Sequence, residues 1–380
     1  MSEAPKGALP AQPDLDWYRK SAKKRLHDLR ASNAAATLAE AQLAVAREHG
    51  FTSWRELKRN VDLKLLPQLF AAIRARDHAE IRKLLDVNPG LARATTEDGQ
   101  NALHLAAEVN DAACIDLLVG RKANLAAYYG KRGHDALSWA LTVGSRRAAE
   151  ALVRHGLEPD FFCAAGLGDV ERVRSFFDGK GKLAPNASRT GSSRWLADGA
   201  RLPAPPPTER ERVSDALYFA SRCGEPEVVR ELLKHDPDLS FRAFIGGTPL
   251  HWAYYGGNRE AVDLLLEAGA DPTLRDYDYG CTPRAFGICV AANWGFPPLL
   301  ERTLRMDPSV VNILEGRGTP LHEAARAGHS RLIVTLLAAG ADPSIRDGGG
   351  KTPLDRAAEA GHGETVELLR SRAQRAGEIP

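Results

Sequence analysis

The sequence predicts an all-α fold: a solenoid of about nine stacked helix pairs behind an N-terminal helical cap. Three observations lead there. One hexapeptide recurs in a single register, clearest at Thr248-Pro249-Leu250-His251-Trp252-Ala253 and Thr319-Pro320-Leu321-His322-Glu323-Ala324. Thr352-Pro353-Leu354-Asp355-Arg356-Ala357 is a weaker copy, and Asn101-Ala102-Leu103-His104-Leu105-Ala106 a degenerate one. The leucine position falls at Leu103, Leu137, Leu217, Leu250, Arg284, Leu321 and Leu354, so the intervals are 34, 80, 33, 34, 37 and 33 residues. Finally, one period holds two short helical patterns divided by glycine. A pair that small cannot bury its own apolar face, so such units gain stability by stacking.

Residues 247–276 illustrate how a unit is built. Thr248 suits an N-cap and Pro249 the first helical position. Leu250, Ala253 and Tyr254 fall on one face of a short inner helix, which Gly256 and Gly257 break. Asn258 caps a second helix through Val262, Leu265 and Leu266, and Gly269 is a left-handed stop. An extended turn from Asp271-Pro272 then leads to the next cap.

In chain order, residues 1–13 are expected to be a disordered tail and 14–62 an N-terminal helical cap. The cap should hold a helix over Asp16–Ala31, a second over Leu38–Glu48 that Gly50 ends, and a third capped by Ser53 with Trp54, Leu57 and Val61. Lys20, Lys23, Lys24 and Arg25 invite a nucleic-acid reading. Asp14, Asp16, Asp28, Glu40 and Glu48 dilute that charge, so a capping role is expected. Repeats one to four should occupy 63–178, an inserted loop or lid 179–212, and repeats five to nine with a C-terminal cap 213–380. The seventh unit departs most, with Arg284 at the leucine position and Gly287 at the alanine position.

The hexapeptide and its period together resemble the ankyrin repeat. The run Ala41-Gln42-Leu43-Ala44-Val45-Ala46-Arg47-Glu48-His49-Gly50-Phe51-Thr52-Ser53-Trp54 resembles a helical extension ahead of some bacterial ankyrin arrays. The resemblance implies a right-handed solenoid whose inner helices line a concave face. It also implies that His104, His251 and His322 hydrogen-bond between loops of adjacent units, and that the array binds another protein.

On that geometry, the residue just before each alanine faces the groove. In order these are Leu105, Trp139, Cys163, Phe219, Trp252, Phe286, Glu323 and Arg356. Phe219, Trp252 and Phe286 are then neighbouring rungs, with Tyr255 one turn on from Trp252. An aromatic stripe suits partner anchors or an apolar ligand, or else simply fills space between helices. The hairpin tips contribute Tyr277 and Tyr279, with Arg242, Arg275 and Arg284 as polar contacts. Under this reading Trp252→Ala leaves melting intact and abolishes partner capture. The insertion carries Arg189, Arg194, Trp195 and the prolines Pro203, Pro205, Pro206 and Pro207. Such a segment is either functional or disordered, and as a lid over Phe219 and Trp252 it would close a pocket.

The bulk numbers exclude more than they identify. A net charge of +2 with 26% charged residues gives no strong pull toward nucleic acid or membrane. Five cysteines without a C-x-x-C pair argue for reduced thiols in a cytoplasmic protein and against a zinc site. Neither a signal-peptide pattern nor an 18-residue apolar run is present. No hydrolase, metalloprotease, Walker or dinucleotide fingerprint occurs, so no catalytic residue, cofactor or metal is expected. The irregular seventh unit, with Arg284, Cys289, Asn293 and Trp294, is the best place to look for a site. The expected function is a monomeric, non-enzymatic protein-interaction scaffold. The alternative is a small-molecule binder or enzyme whose pocket the 179–212 segment closes, with Arg189, Arg194 and Arg284 meeting an anionic group.

Overall fold

The last four repeats begin where the hexapeptide places a cap. Thr248, Thr282, Thr319 and Thr352 all sit at N-caps with extended backbone, and a proline follows at the first helical position. The computed structural model describes residue 9 and residues 13–129, 134–194, 196 and 200–377. The expected tail is, apart from Leu9 and Pro13, outside them. The chain divides into two compact units, residues 1–158 and 159–380.

In the first unit, Asp14, Thr37 and Ser53 cap helices Leu15–Ser32, Leu38–Glu48 and Trp54–Ala75. The third is longer than the sequence predicts, because Pro67 lies within it without ending it. Leu57, Val61, Leu65, Leu66, Leu69, Phe70 and Ile73 are all buried, so one apolar stripe runs through the proline. That continuous burial outweighs the lost backbone bond. The helix therefore supplies both the end of the cap and the first repeat's inner helix, and the 62/63 division falls inside it. His78–Val87 completes that repeat, and the pairs Ala102–Glu108 with Ala112–Gly120 and Ala136–Thr142 with Arg146–Arg154 follow. A two-stranded hairpin pairs Tyr128 with Asp135 and Tyr129 with His134.

Among the described residues, the second unit holds six helix pairs. Phe161–Leu167 pairs with Val170–Ser175, Glu209–Cys223 with Pro226–Leu232, and Pro249–Gly256 with Arg259–Glu267. Pro283–Trp294 pairs with Pro297–Met306, Pro320–Arg326 with Ser330–Ala338, and Pro353–Glu359 with Gly363–Gly377. Phe161, Leu217, Leu250, Ala253, Val262 and Leu265 belong to one buried cluster that spans successive pairs. Gly287, irregular in the sequence, has a steric reason. A Cβ there would stand 2.7 Å from the Tyr254 carbonyl oxygen, so only glycine lets these inner helices approach so closely. Gly256 repeats the device against Ser221 O, at 2.5 Å.

The hexapeptide histidines tie each unit to the next. Nδ1 of His251 accepts from the Thr248 N–H (3.1 Å), and its Nε2 donates to Cys281 O (3.2 Å). His322 repeats this with Thr319 N–H (3.1 Å) and Lys351 O (3.0 Å), and His104 Nε2 reaches His134 O (3.3 Å). All three are buried. Burial pushes His251 down to about 3 and His104 to about 4, and lowers His322 as well. Below the ordinary histidine value the unfolded chain takes up protons that these rings refuse, so acid favours unfolding. Melting temperature should therefore fall as pH drops from about 6.5 toward 4. His251→Gln should flatten that slope, measured as the melting difference from wild type across the window. An unchanged slope would mean that the ring titrates normally in the fold.

Candidate functional site

The inner helices of the second unit bring a run of aromatic rings into mutual contact. Phe162 stacks on Phe219 with centroids 4.0 Å apart, and Tyr218 meets Trp252 edge-on at 5.4 Å. Trp252 in turn contacts Tyr255 at 5.0 Å and Phe286 at 5.1 Å. Trp294, at the end of the lengthened seventh inner helix, lies 6.2 Å from Trp252, 5.7 Å from Tyr255 and 6.1 Å from Phe244. The Arg222 guanidinium sits over Trp252 at 4.3 Å and over Tyr255 at 5.0 Å. Such cation–π contacts gain strength when desolvated, as here.

These contacts overturn the expected open strip. Phe219, Trp252 and Phe286 are each 0% exposed, while Tyr255, Tyr279 and Trp139 are nearly as well covered. The physical reason is the close helix approach at Gly256 and Gly287, which lets adjacent rungs cover one another. Trp294, Phe244 and Arg222 then cover Trp252. Since Trp252 has no accessible surface, it lines no cavity, and the pocket proposed around it loses its wall. The next rung is ionic: buried Glu323 accepts from Asn293 Nδ2 (3.1 Å) and pairs with Arg317 (2.9 Å). Burial raises its pKa. Tyr279 joins this network by donating its hydroxyl to Asn293 Oδ1 at 2.9 Å.

Other sequence candidates have structural duties. Arg284 donates to Asp307 (2.8 Å), which ties its inner helix to the end of its outer one. Arg194 is buried, pairs with Glu211 at 3.5 Å, donates to Pro203 O at 3.2 Å and lies over Phe241. That leaves it poorly placed to meet an anionic ligand. Trp195 falls outside the described residues. Of the aromatic candidates within them, Tyr277 alone is broadly open, at 50% exposed; its ring packs on Gly246, with Arg242 over it at 5.3 Å. Asp276 accepts from the amides of Asp278, Tyr279 and Cys281, closing its own hairpin.

Through its described residues, the insertion packs as a strap across two inner helices. The Asp160 carboxylate accepts from the amides of Arg189 and Thr190 (both 2.7 Å) while capping its helix at Cys163 N. Asp215 accepts from Ser192 N–H at 3.0 Å and from its hydroxyl. Leu183 and Ala187 enter the core beside Phe161 and Leu217.

At the open edge of the stack, the sequence reading singled out Trp294 and missed Phe296. Phe296, 42% exposed, lies 6.4 Å from Trp294. Phe244 and Trp294 are half-buried, and Arg302, beside Tyr255 in charge terms, makes no ion pair among the described residues. The irregularity of the seventh unit was the available signal for Trp294; Phe296 opens the following outer helix and carried none.

Two outcomes follow. Trp252→Ala should lower stability by about 3–5 kcal/mol, as for other buried aromatics, so the expectation of unchanged melting is withdrawn; chemical denaturation of the second unit's fluorescence signal checks this. Asp215, wholly buried, is pushed up to about 6, so between about 4 and 6 the folded chain keeps a proton that the unfolded chain loses. Raising the pH through that window should cost on the order of 3 kcal/mol of strap stability. Hydrogen exchange at the Thr190 and Ser192 amides, corrected for intrinsic rates, should show this in wild type and not in Asp215→Asn.

Comparison with known proteins matches the ankyrin-repeat family model in three stretches, residues 69–163, 196–276 and 288–377. The chain is 34% identical over 128 residues to the probable E3 ubiquitin-protein ligase XBOS32 of Oryza sativa subsp. japonica, covering 33% of this chain and 25% of that protein. It is 36% identical over 124 residues to the human SH3 and multiple ankyrin repeat domains protein 2, covering 33% of this chain and 6% of that one. Against the mitochondrial disaggregase of Bos taurus it is 30% identical over 244 residues, covering 63% of this chain and 35% of that protein. The chain thus spans a minor part of each. Among the described residues, no helix is long and apolar enough to cross a membrane.

Proposed function

The chain belongs to the ankyrin-repeat family, whose model matches more than half of it, and from that premise we propose that it is a non-enzymatic scaffold that binds another protein through the rim of its aromatic stack. The supporting observation is the set Phe244, Trp294 and Phe296, partly open rings that lead onto the buried rings of Trp252 and Tyr255, with Tyr277 exposed on a neighbouring hairpin against Gly246. Anchors of this kind lose little entropy on binding, since their support is already ordered. Arg302 and Arg242 border the rings, so the preferred partner segment combines an apolar or aromatic anchor with a carboxylate. Trp252, Phe219, Phe286 and Tyr255 contribute from below, by fixing where Trp294 stands. Arg284, Arg194 and Tyr279 contribute only by holding helices and hairpins in place.

Tyr277 and Phe296 are exposed, so Tyr277→Ala and Phe296→Ala should change stability by no more than about 0.5 kcal/mol. Each should weaken partner binding by about tenfold or more, the loss of one anchor. A photo-cross-linking residue placed at either position should capture the same protein, and one at Val334, on an outer helix, should not. Capture that is equal at all three positions, with affinity unchanged in both alanine variants, would remove this reading.

A further inference from the structure

A second feature lies in the first unit and is independent of the aromatic stack. Along helix Trp54–Ala75, Arg55, Lys58, Arg59 and Asp62 fall at helical spacing on one face. Opposite them the chain leaves helix His78–Val87 through Asn88 and a short turn over Pro89–Arg93. Between the two lies a cavity of about 400 Å³ lined by Arg55, Lys58, Arg59, Asp62, Gly90 and Arg93. That volume is ample for a small ligand.

The charge in this cavity is not balanced by the protein. Among the described residues, none of Arg55, Lys58, Arg59 and Arg93 makes an ion pair or side-chain hydrogen bond. Asp62 is the one acid lining it, so four cations face one carboxylate. The carboxylate is held down against Gly90, where a Cβ would stand 2.5 Å from Asp62 Oδ2. One of its oxygens is sealed from water and has no hydrogen-bond partner. Asn88 is fully buried beside it and helps to offset its burial, yet neither amide atom completes a well-formed hydrogen bond. Bases left apart around a hollow repel one another, and the arrangement is relieved by a ligand that carries several negative charges.

We infer that this cavity binds a small polyvalent phosphate, with Arg55, Arg59 and Arg93 as forked donors and Lys58 as a point charge. Three guanidinium groups and one ammonium suit phosphate oxygens, which accept paired N–H bonds from arginine and a single contact from lysine. Asp62 carries no bond to the ligand. It fixes the floor and lowers the net charge, so a monovalent anion gains little and a di- or trivalent one gains most.

Calorimetric titration of the full chain with inorganic pyrophosphate tests this, with citrate and chloride as comparisons. Saturable pyrophosphate binding that weakens steeply with salt is expected. Arg59→Glu with Arg93→Glu should weaken it by about tenfold or more, given two charge reversals at the site. Arg74→Glu with Arg82→Glu, exposed positions on the same helices but outside the lining, should change it by less than about twofold. Asp62→Asn should tighten it. Circular dichroism confirms that each variant keeps its helices. Absence of pyrophosphate binding up to about 10 mM overturns the inference. So does equal weakening by the two double variants, and tighter binding of citrate overturns the phosphate assignment.

Discussion

No helix pair in this chain can dry its own apolar face, and the contact between neighbouring inner helices is what everything else depends on. It is made close by small residues. Gly287 and Gly256 meet backbone on the adjacent helix, and Ala253 is wholly buried between neighbours. It is made specific by the histidines, each of which joins its own cap to a carbonyl some thirty residues further on. The first device sets the spacing and the second the register.

From that spacing follows the fate of the groove-facing aromatics. Were the inner helices further apart, Phe219, Trp252 and Phe286 would stand as separate exposed rungs. At this distance they stack, and the twelve-residue helix Pro283–Trp294 carries Trp294 over the top of them. Binding potential is thereby moved outward, from the rungs to the rings at their edge. A neighbouring rung that is not aromatic, Glu323, is buried with equal thoroughness and needs Arg317 and Asn293 to make that tolerable.

The fold was legible because its signals are local and repeated: threonine caps, prolines after them, and glycines at helix ends. The helical limits of the cap were nearly as clear, except where a buried stripe carried Trp54–Ala75 through Pro67. The candidate site was much less so. Periodicity assigns a residue to a face of its helix, but exposure also depends on the distance to the next helix and on what a remote side chain covers. Gly287 stood out only as a departure from the repeat pattern and is a close contact; Arg284 looked like a rim charge and is a brace to Asp307. The cavity in the first unit was invisible for a similar reason, since Arg93 comes to Arg55 and Arg59 only through the turn after Asn88.

The strap has a consequence for how this molecule assembles itself. Elsewhere in the second unit, successive inner helices are joined by short connections, and ordering can spread from one to the next at little entropic expense. Between Ser175 and Glu209 the chain must instead close a long loop before its fourth and fifth helix pairs can meet. Closure is rewarded when Leu183 and Ala187 enter the core and the amides of Arg189, Thr190 and Ser192 find Asp160 and Asp215. That junction has the least local connectivity in the unit, so joining the pairs on its two sides into one cooperative body carries the largest loop-closure entropy.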